Sequence, residues 1–186
     1  MALLTRPAWC RRAVAAVLLI GLRLHAAALQ EYQVKAVFLF NFTQFVDWPA
    51  SAFADRAGPL AICILGDDPF GAYLDDAVRG EHVDSRALVV RRLTRAEDAG
   101  NCQILYISRS EAGRLDAIMP RVSALRALTV SDARGFGDRG GMIGFVTEDN
   151  RVRLRINLDA VRAAGLTISS KLLRVADVIG GPGETR

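Results

Sequence analysis

The first sustained pattern along the chain is a run from Gln30 to Trp48 without glycine or proline. It is apolar almost all round, with Tyr32, Val34, Val37, Phe38, Leu39, Phe40, Phe42, Phe45 and Val46. The lack of breakers and the stop at Pro49 predict a helix. At 100° per residue its only polar stripe is Gln33, Gln44 and Asp47, with Phe40 in the middle. Such a helix is either wrapped by its own domain or offered to a partner.

Leu60 to Gly66 (LAICILG) is continuously apolar rather than alternating, which predicts a strand buried on both faces of a sheet, usually a parallel one. Asp67, Asp68 and Pro69 then open a helix through Val78, and Ala87 to Val90 supplies a second strand, making one βαβ unit. The alternation continues with a strand at Ile104 to Ile107, a helix from Glu111 to Met119 stopped at Pro120, and a strand at Leu128 to Val130. Met142 to Thr147 and Val152 to Asn157, separated by four polar residues, predict an antiparallel hairpin. Its second strand turns Val152, Leu154 and Ile156 one way and Arg151, Arg153 and Arg155 the other. Two short helices follow, Leu158 to Ala164 and Ser170 to Val178, with Gly165 stopping the first and Ser169 capping the second. The expected fold is therefore a single α/β domain, a mixed and mostly parallel sheet flanked by helices with a C-terminal antiparallel hairpin.

Ahead of this domain, Arg6, Arg11 and Arg12 precede an apolar run from Ala13 to Leu22, followed by Ala26, Ala27 and Ala28. That is the pattern of a secretory signal peptide. The run is shorter than the ~20 apolar residues of a membrane span, so cleavage after Ala28 is expected. Residues 1–28 are then the signal, 29–179 the domain, and 180–186 a Gly- and Pro-rich tail expected to be disordered. Composition changes meaning accordingly. The whole chain carries a net charge of +4, but Arg6, Arg11, Arg12 and Arg23 all lie in the signal and none of the 20 acidic residues does. The exported domain is neutral, and the case for a nucleic-acid partner falls away. Cys10 goes with the signal. Cys63 and Cys102 remain, and an oxidising compartment favours their pairing; the alternative is two separate buried thiols.

Candidate chemistry is sparse. His82 is the only histidine after position 28 and sits in a polar segment beside Glu81 and Asp84, which reads as a solvated loop. No G-x-S-x-G elbow and no zinc-ligand spacing occur. Gly135, Gly137, Gly140 and Gly141 form a glycine-rich loop, but a strand follows rather than a helix, which favours a tight strand-to-strand connection over a phosphate cradle. Phe136 sits on that loop, which is expected to be exposed, and is either a contact residue or, as loop aromatics more often are, tucked onto its own domain. Asp67 with Asp68 reads as helix N-terminal charge and not as a cation site, Asp75 with Asp76 cannot converge as helix neighbours, and the arginine row reads as a solvated sheet face. No catalytic, cofactor-binding or metal-binding residue is assigned.

Several segments carry a resemblance: KAVFLFNFTQFVDWP from Lys35 to Pro49, the two cysteines, LTVSD from Leu128 to Asp132, GGMIGF from Gly140 to Phe145, RINLDAVRAAGL from Arg155 to Leu166, and SSKLLRVA from Ser169 to Ala176. In this order they resemble the YfiR family. The resemblance implies a non-enzymatic periplasmic protein that binds the periplasmic domain of an inner-membrane diguanylate cyclase and represses it, lowering cyclic di-GMP and biofilm formation. It also implies an OmpA-like outer-membrane lipoprotein that sequesters the repressor, a homodimer, and a Cys63–Cys102 bridge, while a second cysteine pair near the hairpin is missing here. Phe40, Trp48 and Phe136 are the contact candidates. The competing reading is a periplasmic small-molecule binding module with its cleft at the strand ends.

Overall fold

The computed structural model describes residues 29–55, 58–149 and 151–180. The expected signal peptide and positions 181–186 of the expected tail lie outside them. Residues 29–45 form helix α1. It is followed by β1 (Val46–Asp47), β2 (Leu60–Leu65), α2 (Ala72–Val78), β3 (His82–Val83), β4 (Arg86–Leu93), β5 (Ile104–Ile107), α3 (Leu115–Val122), β6 (Leu128–Ser131), β7 (Ile143–Glu148), β8 (Arg151–Asn157), α4 (Leu158–Ala163), β9 (Thr167–Ile168), α5 (Ser170–Leu173) and β10 (Ala176–Ile179). One eight-stranded sheet runs β10-β8-β7-β6-β5-β2-β4-β3, and β1 pairs separately with β9. Pairing is parallel from β4 through β2, β5 and β6 to β7, and antiparallel at the β7–β8 hairpin and at β3–β4. This is the α/β sheet that the alternating pattern predicts.

The continuous apolar run of β2 has the predicted explanation. All six residues are buried, because Leu60, Ile62 and Ile64 face one core with α1, α2 and α4 while Ala61, Cys63 and Leu65 face a second core with α3. The second core contains a disulfide between Cys63 and Cys102, with a Cα–Cα distance of 5.8 Å. The chain reverses direction across the sheet between β2 and its neighbours β4 and β5, so the strand-end crevice of this topology lies beside β2 and β5.

Four local expectations are corrected. Helix α1 ends at residue 45 rather than at Trp48, since Val46 and Asp47 pair with Ile168 and Thr167 of β9 and the Phe45 carbonyl accepts from the Ser169 N–H at 2.8 Å. Pro120 lies inside α3 rather than ending it. Burial of Leu115, Ile118, Met119 and Val122 outweighs the one backbone bond a proline cannot donate. The expected helix from Ser170 to Val178 stops at Leu173 and gives way to β10, which lies parallel to β8. The free edge of β8 offers backbone groups for pairing, and Val178 and Ile179 are β-branched residues suited to a strand. His82 sits on the two-residue edge strand β3 rather than in a loop, and it is exposed.

The bridge closes a sequence separation of 39 residues inside a core. A Cys63→Ala/Cys102→Ala variant is expected to lose ~2–4 kcal/mol of stability. Urea unfolding followed by circular dichroism measures this, and an unchanged midpoint contradicts it.

Candidate functional site

Helix α1 packs Ala36, Leu39 and Phe42 into the first core. The Phe42 ring stacks on Phe145 of β7 at 6.1 Å, and Phe38 tilts against the same ring at 6.0 Å. One member of the buried face is not apolar. Lys35 has no exposed side-chain surface, and its Nζ lies 2.6 Å from Oδ2 of Asp132 and 2.5 Å from Oε1 of Glu31. Asp132 follows the last residue of β6 and is itself fully covered. Its Oδ2 also accepts from the Tyr32 hydroxyl at 3.0 Å, and its Oδ1 accepts from the Tyr106 hydroxyl of β5 at 2.8 Å. Arg109, exposed just past β5, brings Nε to 3.2 Å from Oδ2. Thr147 of β7 donates to Glu31 at 3.0 Å. The first turns of α1 are thereby tied to the carboxyl ends of β5 and β6 and to β7.

The electrostatics follow from this geometry. Burial disfavours an ionised Asp132, but the hydrogen bond and charge of Lys35, the Tyr106 hydroxyl and the Arg109 charge outweigh it and hold the carboxyl below its ordinary range. Burial and the adjacent Asp132 carboxylate push the Tyr32 phenol up to about 12 and drive that of Tyr106 upward as well. Asp132 therefore stays ionised with both oxygens occupied by donors, which suits a group that positions a helix and not one that abstracts a proton. Among the described residues, no buried side-chain nitrogen or oxygen lacks a hydrogen-bond partner. No group of His, Cys, Asp or Glu among them converges as metal ligands would.

This pairing also fixes the rotation of α1. With Lys35 turned inward, Val34 and Val37 face solvent at 41% and 53% exposure, beside exposed Gln30 and Gln44. The expected polar stripe of Gln33, Gln44 and Asp47 is displaced accordingly, and Gln33 and Phe40 are half-buried. Trp48 is half-buried too, and its indole N–H donates to the Gln103 carbonyl at 2.9 Å. Gln103, next to the bridged Cys102, accepts from the Ala61 N–H at 2.8 Å and donates to the Ala52 carbonyl at 2.7 Å. Phe136 is only 2% exposed. Of the two alternatives for this loop aromatic the structure has the tucked one, because β6 and β7 are parallel neighbours and their connection must cross the sheet face, where the ring fills the second core; the contact role for Phe136 is corrected. Gly141 leaves room for the ring, which a Cβ at that position would strike.

The other residues singled out from sequence stay apart. His82 is exposed, with Nδ1 3.0 Å from the Gly80 carbonyl. Arg153 and Arg155 meet Glu148 and Asp177 on the solvent side of the hairpin. Asp68 and Asp75 converge on Arg92. Sequence reading missed Lys35, Asp132, Tyr106 and Gln103 as a structural set. The available signal was a lone lysine inside an apolar run and an aspartate closing the strand LTVSD.

Two consequences are measurable. Lys35→Met leaves Asp132 a buried charge without its main counter-charge and is expected to cost ~3–5 kcal/mol; Lys35→Met/Asp132→Leu is expected to recover part of that loss in denaturant titrations. Stability also acquires two pH limits. The folded pKa of Asp132 lies below its unfolded value of about 3.9, so its contribution is complete above that value and disappears as pH falls through the folded one. Tyr32 shifts the other way, so its contribution is complete below about pH 10 and is lost as pH rises toward about 12. Thermal melts across pH are expected to fall at both ends, and to lose the alkaline fall from Tyr32 in Tyr32→Phe.

Comparison with solved structures finds distant likeness. A conserved domain protein from Vibrio cholerae is 14% identical, with a TM-score of 0.46 over 63% of this chain and 54% of that one. An ABC domain in complex with L-Trp from Streptococcus pneumonia is 11% identical, with a TM-score of 0.49 over 82% of this chain and 60% of that one. The chain thus spans less than two thirds of either relative. Comparison with curated protein sequences gives no match. The YfiR/HmsC-like sequence profile matches residues 32–177, from the first turns of α1 into β10, taking in Tyr32, Lys35, Tyr106, Arg109 and Asp132 of the ionic cluster and both bridged cysteines. The chain belongs to the YfiR/HmsC-like family.

Proposed function

We propose that this protein is a periplasmic regulator that binds the periplasmic domain of an inner-membrane diguanylate cyclase and represses it, lowering cyclic di-GMP and biofilm formation. The observation that carries the reading is the family match across the domain, supported by the export pattern of residues 1–28. In the same scheme an OmpA-like outer-membrane lipoprotein competes for the repressor and releases the cyclase. The contact surface assigned to the sensor is the C-terminal half of α1 together with the segment just past β1, where Phe40 and Trp48, respectively, are half-buried aromatics. Aromatics set in a rigid surface are efficient contacts because little side-chain freedom is lost on binding. Phe136, buried in the second core, is not assigned to it.

Repression requires differential binding. A protein that bound the active and inactive sensor equally would shift nothing, so this surface must fit the inactive arrangement better. The rigidity of α1 matters here, since a helix free to rock would fit both states.

Purified protein is expected to capture a sensor cyclase from membranes of the same cell and to lower its activity. Phe40→Ala is expected to weaken that capture by about tenfold or more. Failure to capture a cyclase, with unchanged cyclic di-GMP on deletion of the protein, overturns the reading. Saturable binding of a small molecule by the monomer in place of capture would transfer the assignment to a ligand-binding module.

A further inference from the structure

Ligands of open α/β sheets usually enter at the carboxyl ends of the strands. In this domain the first turns of α1 lie over that end of β5 and β6. A groove of about 600 Å³ opens at the opposite end of the sheet, where β6 and β7 begin and β8 and β10 finish. Helix α4 runs along one side of it and the glycine-rich loop along another. Gly137, Gly140 and Gly180 give it walls of bare backbone, and Ala160 and Ala163 line it from α4. The loop is held in place there: the Gly137 carbonyl accepts from Asn157 Nδ2 at 3.4 Å, and a Cβ on Gly137 would lie 3.4 Å from Cδ1 of Ile179.

Two features give this groove a chemical character. Met119 of α3 and Met142, just before β7, are the only methionines after position 28. Both are buried, and both line the groove. A thioether on an unbranched stem adapts its shape to an apolar group and attracts the edge of an aromatic ring. The rim, by contrast, is acidic. Asp138 of the loop and Asp159 of α4 are exposed and line the groove, while among the described residues no lysine, arginine or histidine does. Asp159 also meets Arg162 along α4 at 3.6 Å, a contact between exposed groups that holds little energy. A cleft lined by one sign of charge concentrates ligands of the other sign. We propose that the groove binds a small organic cation with an apolar, ring-sized body. The body lies against Met119 and Met142, and the ammonium group sits at the rim between Asp138 and Asp159. An anion would face both carboxylates, and the Ala160 N–H at the start of α4 is already taken by Asn157. A bare metal ion would meet thioethers and methyl groups, and no set of His, Cys, Asp or Glu converges on one among the described residues. Neither Phe40 nor Trp48 lines the groove, so the assignment stands independently of the proposed sensor contact.

Nuclear magnetic resonance of isotope-labelled methionine methyl groups tests the proposal, since Met119 and Met142 report from inside the groove. Phenethylammonium is expected to shift both signals saturably. It is expected to bind about fivefold or more tighter than phenethyl alcohol, with hydrocinnamate weaker than either. Asp138→Asn/Asp159→Asn is expected to bring the cation down to the affinity of the alcohol and to leave the alcohol unchanged. Ala163→Trp, at an exposed position of α4 and checked for folding by circular dichroism, is expected to abolish binding of both. Signals that do not move, a cation bound no better than the alcohol, or a preference that survives loss of both carboxylates overturns the proposal. Sensor capture is a separate measurement: its failure with cation binding intact overturns the regulator and leaves the groove assigned.

Discussion

A carboxylate with no exposed surface needs a counter-charge, and Asp132 finds its own 97 residues away in Lys35. Neither group is tolerable alone inside the domain, and together they are stable only when α1 lies across the sheet in one rotation and one register. Tyr32, Tyr106, Arg109 and Glu31 complete the arrangement by occupying the remaining lone pairs and protons. Apolar packing under α1 supplies most of the attraction but is permissive about rotation, because the helix is apolar on nearly every side. The ion pair is the element that discriminates among those rotations.

That discrimination determines what the molecule shows to others. Once Lys35 is committed inward, Val34 and Val37 cannot join the core and stay exposed on α1, with Phe40 half-buried. The second core holds the opposite face of the sheet firm through the Cys63–Cys102 bridge, and Gln103, next to that bridge, holds Trp48 just past β1, the strand that follows α1. Both the helix and the segment that follows it are therefore anchored to the scaffold by polar contacts.

Much of this was legible in the sequence where local pattern decides structure. The LAICIL strand, the hairpin with its arginine face and the cap at Ser169 follow from periodicity and turn chemistry. What escaped was set by distant residues. The rotation of α1 depends on an aspartate at the end of β6, which no window around Lys35 contains. Phe136 is buried because β7 lies parallel to β6, a matter of topology that a glycine-rich loop does not encode. Strand β10 forms where β8 has a free edge, a pairing partner that no window around residues 176–179 contains. The family resemblance captured both halves of the ion pair, in KAVFLF and LTVSD, without disclosing that they touch.

Native-state hydrogen exchange on Lys35→Met, compared with wild type, tests the central claim most directly. If the buried pair fixes α1, amides of residues 33–45 lose protection strongly while those of β2 and β5 change little. Uniform loss across the domain, or unchanged protection of α1, would contradict the account.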